Sequence, residues 1–257
     1  MNATLEMSQG KTMKRVSVLT LAILVTALTG CESAVPAVCQ IGSSFTGGYA
    51  VHLTRTGTPQ AGCDTPAGTP ADIGDLWVFD PYAGAQGTLI IGYSANIGGP
   101  LTGVPDPPDS ASPLYAKAYF TSLYPDSEDN CTIDSMNMSN GADSYAITSM
   151  VWLNTAKYLG AEIKGNVSVT RGGCTADYTV QALWPPVLCT ANADCDPFAQ
   201  PVGSGINPDF DQGCNLDPWA QDVGVIVNDL FHGDDPAPGL GICFLNQAYP
   251  SLGGFTQ

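Results

Sequence analysis

The chain has 257 residues and carries 24 Asp and Glu against eight Lys and Arg, a formal net charge of −16. Such a surface repels phosphate backbones, and no basic stripe offsets it, which excludes nucleic-acid binding. The length is ample for a buried core in one large or two small domains.

In chain order, Lys14 and Arg15 precede an uncharged run from Val16 to Leu28. A basic start, a short apolar stretch and small residues after it form a signal-peptide pattern. The run is shorter than the roughly 20 apolar residues that a spanning helix needs. It ends in Leu28-Thr29-Gly30-Cys31, which resembles a lipobox. That resemblance implies cleavage before Cys31, diacylation of its sulfur, and attachment to a membrane through lipid. Residues 1–30 are then a lipoprotein signal peptide, with translation starting either at Met1 or at Met13. Glu32 follows the acylated position where many inner-membrane lipoproteins carry Asp, and so points to the outer membrane. Only Lys11, Lys14, Arg15 and Glu6 of the charged residues lie in the leader, so five cations and 23 acids remain, a net of −18.

Nine cysteines become eight once Cys31 is assigned to lipid: Cys39, Cys63, Cys131, Cys174, Cys189, Cys195, Cys214 and Cys243. An even number in an exported, oxidising compartment predicts up to four disulfides. No Cys-x-x-Cys pair suggests zinc.

After a tether over residues 31–44, residues 45–184 read as an antiparallel β domain. Tyr49, Val51 and Leu53 alternate with Ala50, His52 and Thr54. Short apolar runs follow at Leu76–Phe79, Thr88–Tyr93, Tyr115–Thr121, Cys131–Met138 and Tyr145–Leu153. In Ala161–Thr170 the residues Ala161, Ile163, Val167 and Val169 share one face, and Glu162, Lys164, Asn166, Ser168 and Thr170 the other. Gly172-Gly173 turns this strand into Cys174–Leu183, with Tyr178, Val180 and Ala182 on one face. About eight strands without an intervening helix predict an antiparallel meander, closed as a barrel or split as a sandwich. Closure of the last strand on the first would bring Cys174 to Cys63 and Cys189 to Cys39. The connections Gly99–Pro113, with its prolines, and Asp64–Gly74 are long enough to be functional loops or plain insertions.

Pro185-Pro186 begins a Cys-rich segment over residues 185–257 that needs disulfides to fold. One helix is predicted there, capped by Asp217, opened by Pro218 and ended before Gly233, with Trp219, Val223, Ile226, Val227, Leu230 and Phe231 on one face; Gly224 opposes it, and Gly224–Val227 reads alternatively as a strand.

The combination of lipobox, Cys189-Thr-Ala-Asn-Ala-Asp-Cys195 and a Gly- and Asp-rich β region resembles lipoproteins abundant in myxobacteria. The meander is also similar to lipocalin-like barrels, with Gly47-Gly48-Tyr49 standing where those carry Gly-x-Trp. Neither resemblance brings an active-site motif.

The search for chemistry finds two histidines. His52 reads as a wall or surface residue and His232 as a helix-end cap, the alternative for His232 being a metal corner with Asp234 and Asp235. No nucleophile elbow, zinc motif or phosphate loop is present. Asn207, Asp209 and Asp211 place oxygen ligands at alternate positions, as Ca²⁺ loops do, but Gln212 and Pro218 break the EF-hand pattern. Trp77, Phe79 and Tyr93, with Tyr82, would fill the core or line a cavity for a small apolar or sugar ligand. The reading is a lipid-anchored envelope protein acting as a non-enzymatic binding or structural module, with no required cofactor and no defined protein partner. The alternative is an extracytoplasmic hydrolase using aspartates, assisted by Ca²⁺.

Overall fold

The computed structural model describes residues 38–42, 48–84, 87–98, 116–154, 159–199, 201–231 and 239–250. Cys31, the Gly47 position, Tyr115, the whole proline-rich connection Gly99–Pro113 and His232 with Asp234 and Asp235 lie outside the described residues. Residues 37–257 form one compact unit.

Nine strands make one antiparallel sheet: β1 (Tyr49–Arg55), β2 (Asp72–Gly84), β3 (Gly87–Ser94), β4 (Ala116–Tyr119), β5 (Asn130–Ile133), β6 (Met136–Ser139), β7 (Ser144–Asn154), β8 (Leu159–Arg171) and β9 (Cys174–Leu183). Their order is β4-β3-β2-β1-β9-β8-β7-β5, with β6 also on β7. The first strand therefore pairs with the last, Val51 opposite Ala182 and Leu53 opposite Val180. At the remaining seam the Thr121 N–H donates to the Thr132 carbonyl at 2.9 Å. Gly92 of β3 there faces the Met136 sulfur of β6, which a Cβ would approach to 2.7 Å. The result is a nearly closed barrel. The segment expected as one strand over Cys131–Met138 is two, because exposed Asp134 and Ser135 interrupt the pairing with β7.

The inward face is apolar and aromatic. Tyr49, Val51, Leu53, Trp77, Phe79, Ile163, Val167, Val169, Tyr178, Val180 and Ala182 belong to one buried cluster. Phe79 packs edge-on against Tyr49 at 5.6 Å and against Trp152 at 5.5 Å, and Trp77 lies 5.7 Å from Tyr145. Two expected faces are corrected. Tyr93 pairs with Val78 and so points away from the side that Trp77 and Phe79 share, although it too is buried. Ala161 joins the outer cluster instead of the inner one, since the β7–β8 register shifts between Trp152 and Asn154.

Disulfides staple both ends of the barrel. Cys63 bonds Cys174, the pairing that closure predicts, while Cys39 bonds Cys131. The expected Cys39–Cys189 pairing does not form. Residues 38–42 run past the start of β5 instead, with the Cys39 N–H on the Leu123 carbonyl and Gln40 clamped to Asn154 through both backbone groups. Cys189 is taken by Cys214, and Cys195 by Cys243.

These last two bonds hold a small C-terminal cap. Its strands β10 (Leu188–Cys189), β11 (Gln212–Asn215) and β12 (Gly241–Leu245) form a sheet in the order β10-β12-β11, and helix α1 (Pro218–Phe231) packs beside it. The helix starts at Pro218 as predicted, with the Asp217 carbonyl accepting from Ala220 and Gln221. Gly224 inside it allows a close approach: a Cβ would stand 2.8 Å from the Leu240 carbonyl oxygen. Trp219, Val223 and Val227 then bury against Ala50, Leu76 and Leu183 on the outer barrel face. Among the described residues no helix is long and apolar enough to cross a membrane.

A carboxyl group also sits inside the barrel. The Asp75 carboxylate is fully buried and accepts from the Leu76 N–H, the Trp77 indole, the Ser94 hydroxyl and the Asn96 N–H, at 2.5–3.1 Å. Burial outweighs these four donors and pushes its pKa up to about 6. A carboxyl with a raised folded pKa binds a proton that the unfolded chain, titrating near 4, does not. Its stabilising contribution is complete below pH 4 and is lost as pH rises through about 6. Denaturation at pH 7, 5.5 and 4 should therefore show the wild type gaining on Asp75→Asn as pH falls. A difference that is constant with pH would contradict this.

Candidate functional site

The cap docks on the outer barrel face around His52. This side chain points outward from β1, opposite to Tyr49, Val51 and Leu53, and stacks on Trp219 with centroids 4.0 Å apart and planes 7° from parallel. Phe244 meets it edge-on at 6.1 Å. Gly74, paired with His52 across β1–β2, makes the contact possible, because a Cβ there would stand 1.9 Å from the Trp219 carbonyl oxygen. The His52 Nε2 lies 2.8 Å from an Asp72 oxygen and 3.4 Å from the Thr54 hydroxyl. Burial between rings holds its pKa below the ordinary value, against the pull of Asp72. One nitrogen thus meets both partners, whereas a relay needs the carboxylate and the hydroxyl on different ring nitrogens. His52 acts here as the wedge that seats the cap.

Two clefts open on either side of this wedge. The first, of about 580 Å³, lies over β7, β8, β9 and β1. Antiparallel register sets its floor in two rows of outward side chains. One row runs Val151, Lys164, Gln181, His52, and the next Ser149, Asn166, Thr179, Thr54. Residues 245–249 form the wall. Lys164 Nζ stands 4.3 Å over the Tyr249 ring, and the Tyr249 hydroxyl donates to Asn130 Oδ1 at 2.6 Å, which fixes the ring. None of the residues lining this cleft is Asp or Glu. Carboxylates stand behind the lining instead, Asp211 on Asn246 and Gln247 and Asp72 on His52.

The second cleft, of about 820 Å³, is mixed in charge. Asp72, Asp217, Asp222 and Arg171 line it together with Trp219, Val225 and Pro66. Burial raises the Asp222 pKa while Arg171 opposes the shift.

The residues expected to hold Ca²⁺ are engaged in the cap. Asn207 Oδ1 accepts from the Asp209 N–H at 2.9 Å, a local turn. The Asp211 carboxylate accepts from the side chains of Asn246 and Gln247, and its carbonyl from the Asn246 N–H. Asp211 thereby anchors the wall of the first cleft. Among the described His, Cys, Asp and Glu side chains, the group close enough to share an ion is Cys189, Cys195 and Cys243. Each of those sulfurs is already in a disulfide. Trp77 and Phe79, expected as core or cavity wall, lie in the packed barrel interior, away from both clefts. Sequence reading missed Asn166, Gln181 and Tyr249 as neighbours. The alternation in β8 and β9 does place Lys164, Asn166, Thr179 and Gln181 outward, but the wall comes from a segment more than 60 residues away, as in the Gln181–Gln247 contact.

The molecule is thus defined as a nearly closed antiparallel barrel with a disulfide-stapled cap on its side. The MlpA family model matches residues 43–185, more than half of the chain and the whole barrel. The chain belongs to the MlpA family. It is also 35% identical over 71 residues to "Putative lipoprotein MlpA" of Myxococcus xanthus, a stretch covering 27% of this chain. The match spans about 30% of that relative's length. The resemblance to myxobacterial lipoproteins read from the sequence is thereby supported. No solved structure matches the chain.

Proposed function

We propose that this protein is a lipid-anchored component of the cell envelope that binds saccharide in the carboxylate-free cleft. The anchor reading rests on the order Lys14-Arg15, apolar run, Leu28-Thr29-Gly30-Cys31, and agrees with the name of the Myxococcus relative. Glu32 favours the outer membrane. The observation that carries the ligand class is the two-row floor. Asn166 and Gln181 each offer a paired donor and acceptor, the hydroxyls of Thr54, Ser149 and Thr179 do both, and Lys164 donates. Sugar hydroxyls also donate and accept, so such a grid matches them better than it matches an apolar guest.

The test is binding of the secreted, oxidised protein to a panel of neutral and uronate-containing oligosaccharides. The double variant Asn166→Ala, Gln181→Ala should weaken binding by about tenfold or more, since two hydrogen bonds contribute about 1 kcal/mol each. Failure of every saccharide to bind, or equal binding by the variant, would overturn the ligand class. Turnover of a bound saccharide would replace it with the hydrolase alternative.

A further inference from the structure

We infer that one end of the barrel is seated on a lipid surface, through Leu123, Tyr124, Leu159 and Phe198. The inference rests on the proposed acylation of Cys31. Four of the eight exposed large hydrophobic side chains among the described residues gather where residues 38–42 enter: Leu123 at 52%, Tyr124 at 48%, Leu159 at 48% and Phe198 at 41% exposure. The Leu123 carbonyl accepts the Cys39 N–H. Leu159 precedes Gly160, whose carbonyl accepts from Gly42 and from the Tyr49 hydroxyl. Phe198 lines the same groove as Leu159 and Trp184, about 350 Å³ in volume. These residues lie at the end formed by the starts of β1, β5 and β8 and the ends of β4, β7 and β9, opposite to the Cys63–Cys174 bond.

Chain length supplies the partner. Cys39 is fixed to the barrel by its bond to Cys131. Eight Cα–Cα steps separate it from Cys31, a reach of at most roughly 28 Å when fully extended and about 16 Å as a flexible coil. An acylated Cys31 therefore keeps this end of the barrel within roughly 28 Å of the bilayer. Leucine and tyrosine side chains there enter the headgroup region, where an apolar body and a polar tip are both accommodated. Asp126, Glu128 and Asp129, exposed in the same loop as Leu123, oppose anionic headgroups and select a zwitterionic surface.

The test uses the full mature protein reconstituted into phosphatidylcholine vesicles, beside Cys31→Ser. Flotation of the wild type and not of Cys31→Ser tests the anchor itself. Amide hydrogen exchange on the floating protein tests the seat. Peptides covering 121–126, 159–161 and 196–199 should exchange severalfold more slowly on vesicles than in Cys31→Ser, with 56–64 and 140–143 unchanged. Leu123→Asp with Leu159→Asp, both at exposed positions, should abolish that protection while flotation persists, and added phosphatidylglycerol should not increase it. Flotation without slower exchange at these segments overturns the seat and leaves the anchor standing. No flotation overturns the anchor reading on which the seat depends.

Discussion

Replacing Cys63 and Cys174 together by alanine is expected to lower the unfolding free energy by about 5 kcal/mol, the largest single effect in the molecule. The bond closes a loop with a sequence separation of 111, and Cys39–Cys131 closes one of 92. In the chain-entropy account, long loops gain the most from cross-linking because the unfolded chain loses the most freedom. Removing Cys189 and Cys214, separated by 25, should cost about 3–4 kcal/mol by the same reasoning. The two losses should also differ in kind. Without the Cys63–Cys174 bond the β1–β9 closure of the barrel is weakened. Without Cys189–Cys214 the cap loosens while the barrel signal persists. Urea unfolding of the oxidised variants, followed by far-UV circular dichroism and by fluorescence, checks both. A Cys63–Cys174 variant within 1 kcal/mol of the wild type would contradict the account.

Phe79→Ala is expected to cost about 3–5 kcal/mol, as deletions of buried aromatic side chains do. Its ring is fully buried and contacts Tyr49, Trp77 and Trp152 at centroid distances of 5.5–6.2 Å. The loss combines transfer free energy, the cavity left behind and three edge-on aromatic contacts. If Phe79 instead walled a ligand cavity, its removal would change ligand affinity with little loss of stability. Chemical denaturation together with near-UV circular dichroism distinguishes the two. A stable variant with altered ligand binding would return Phe79 to the cavity role.

Much of the barrel was legible from local pattern. The alternation in Tyr49–Thr54 and in Cys174–Leu183 assigns their faces correctly, because one face of each strand is buried and the period is two. The Gly172-Gly173 turn, with Arg171 opposite Cys174, also fixes the register that pairs Lys164 with Gln181 and Asn166 with Thr179. Closure of β9 on β1 then places Cys174 near Cys63. Where local pattern failed, a distant contact decided. Cys39 was expected at Cys189, but the clamp between Gln40 and Asn154 draws the entering segment to β5. Ala161 changes cluster because its own strand bulges there, four steps from Leu159 to Ile163 facing two from Asn154 to Trp152. Tyr93 lies close to Trp77 and Phe79 in sequence, yet odd and even positions on paired strands send it to the other face.

The cap illustrates the same limit from the other side. Its helix was visible from Asp217-Pro218 and the apolar face, and Gly224, which argues against a helix by propensity, is explained by the Leu240 carbonyl pressed against it. What the helix covers was not visible, since neither Gly74 nor His52 carries a local mark of the Trp219 that lies on them. The first cleft belongs to this class of feature. Its floor follows from strand alternation and turn register, but its wall depends on Asp211 holding Asn246 and Gln247 in place.

The most direct test of the binding claim is ¹H–¹⁵N chemical-shift mapping on the oxidised protein during titration with whichever saccharide the panel selects. Saccharide in the carboxylate-free cleft should give shifts concentrated at 149–151, 164–166, 179–181 and 245–249. Shifts confined to 66–74 and 217–226, or none with any saccharide, would contradict it.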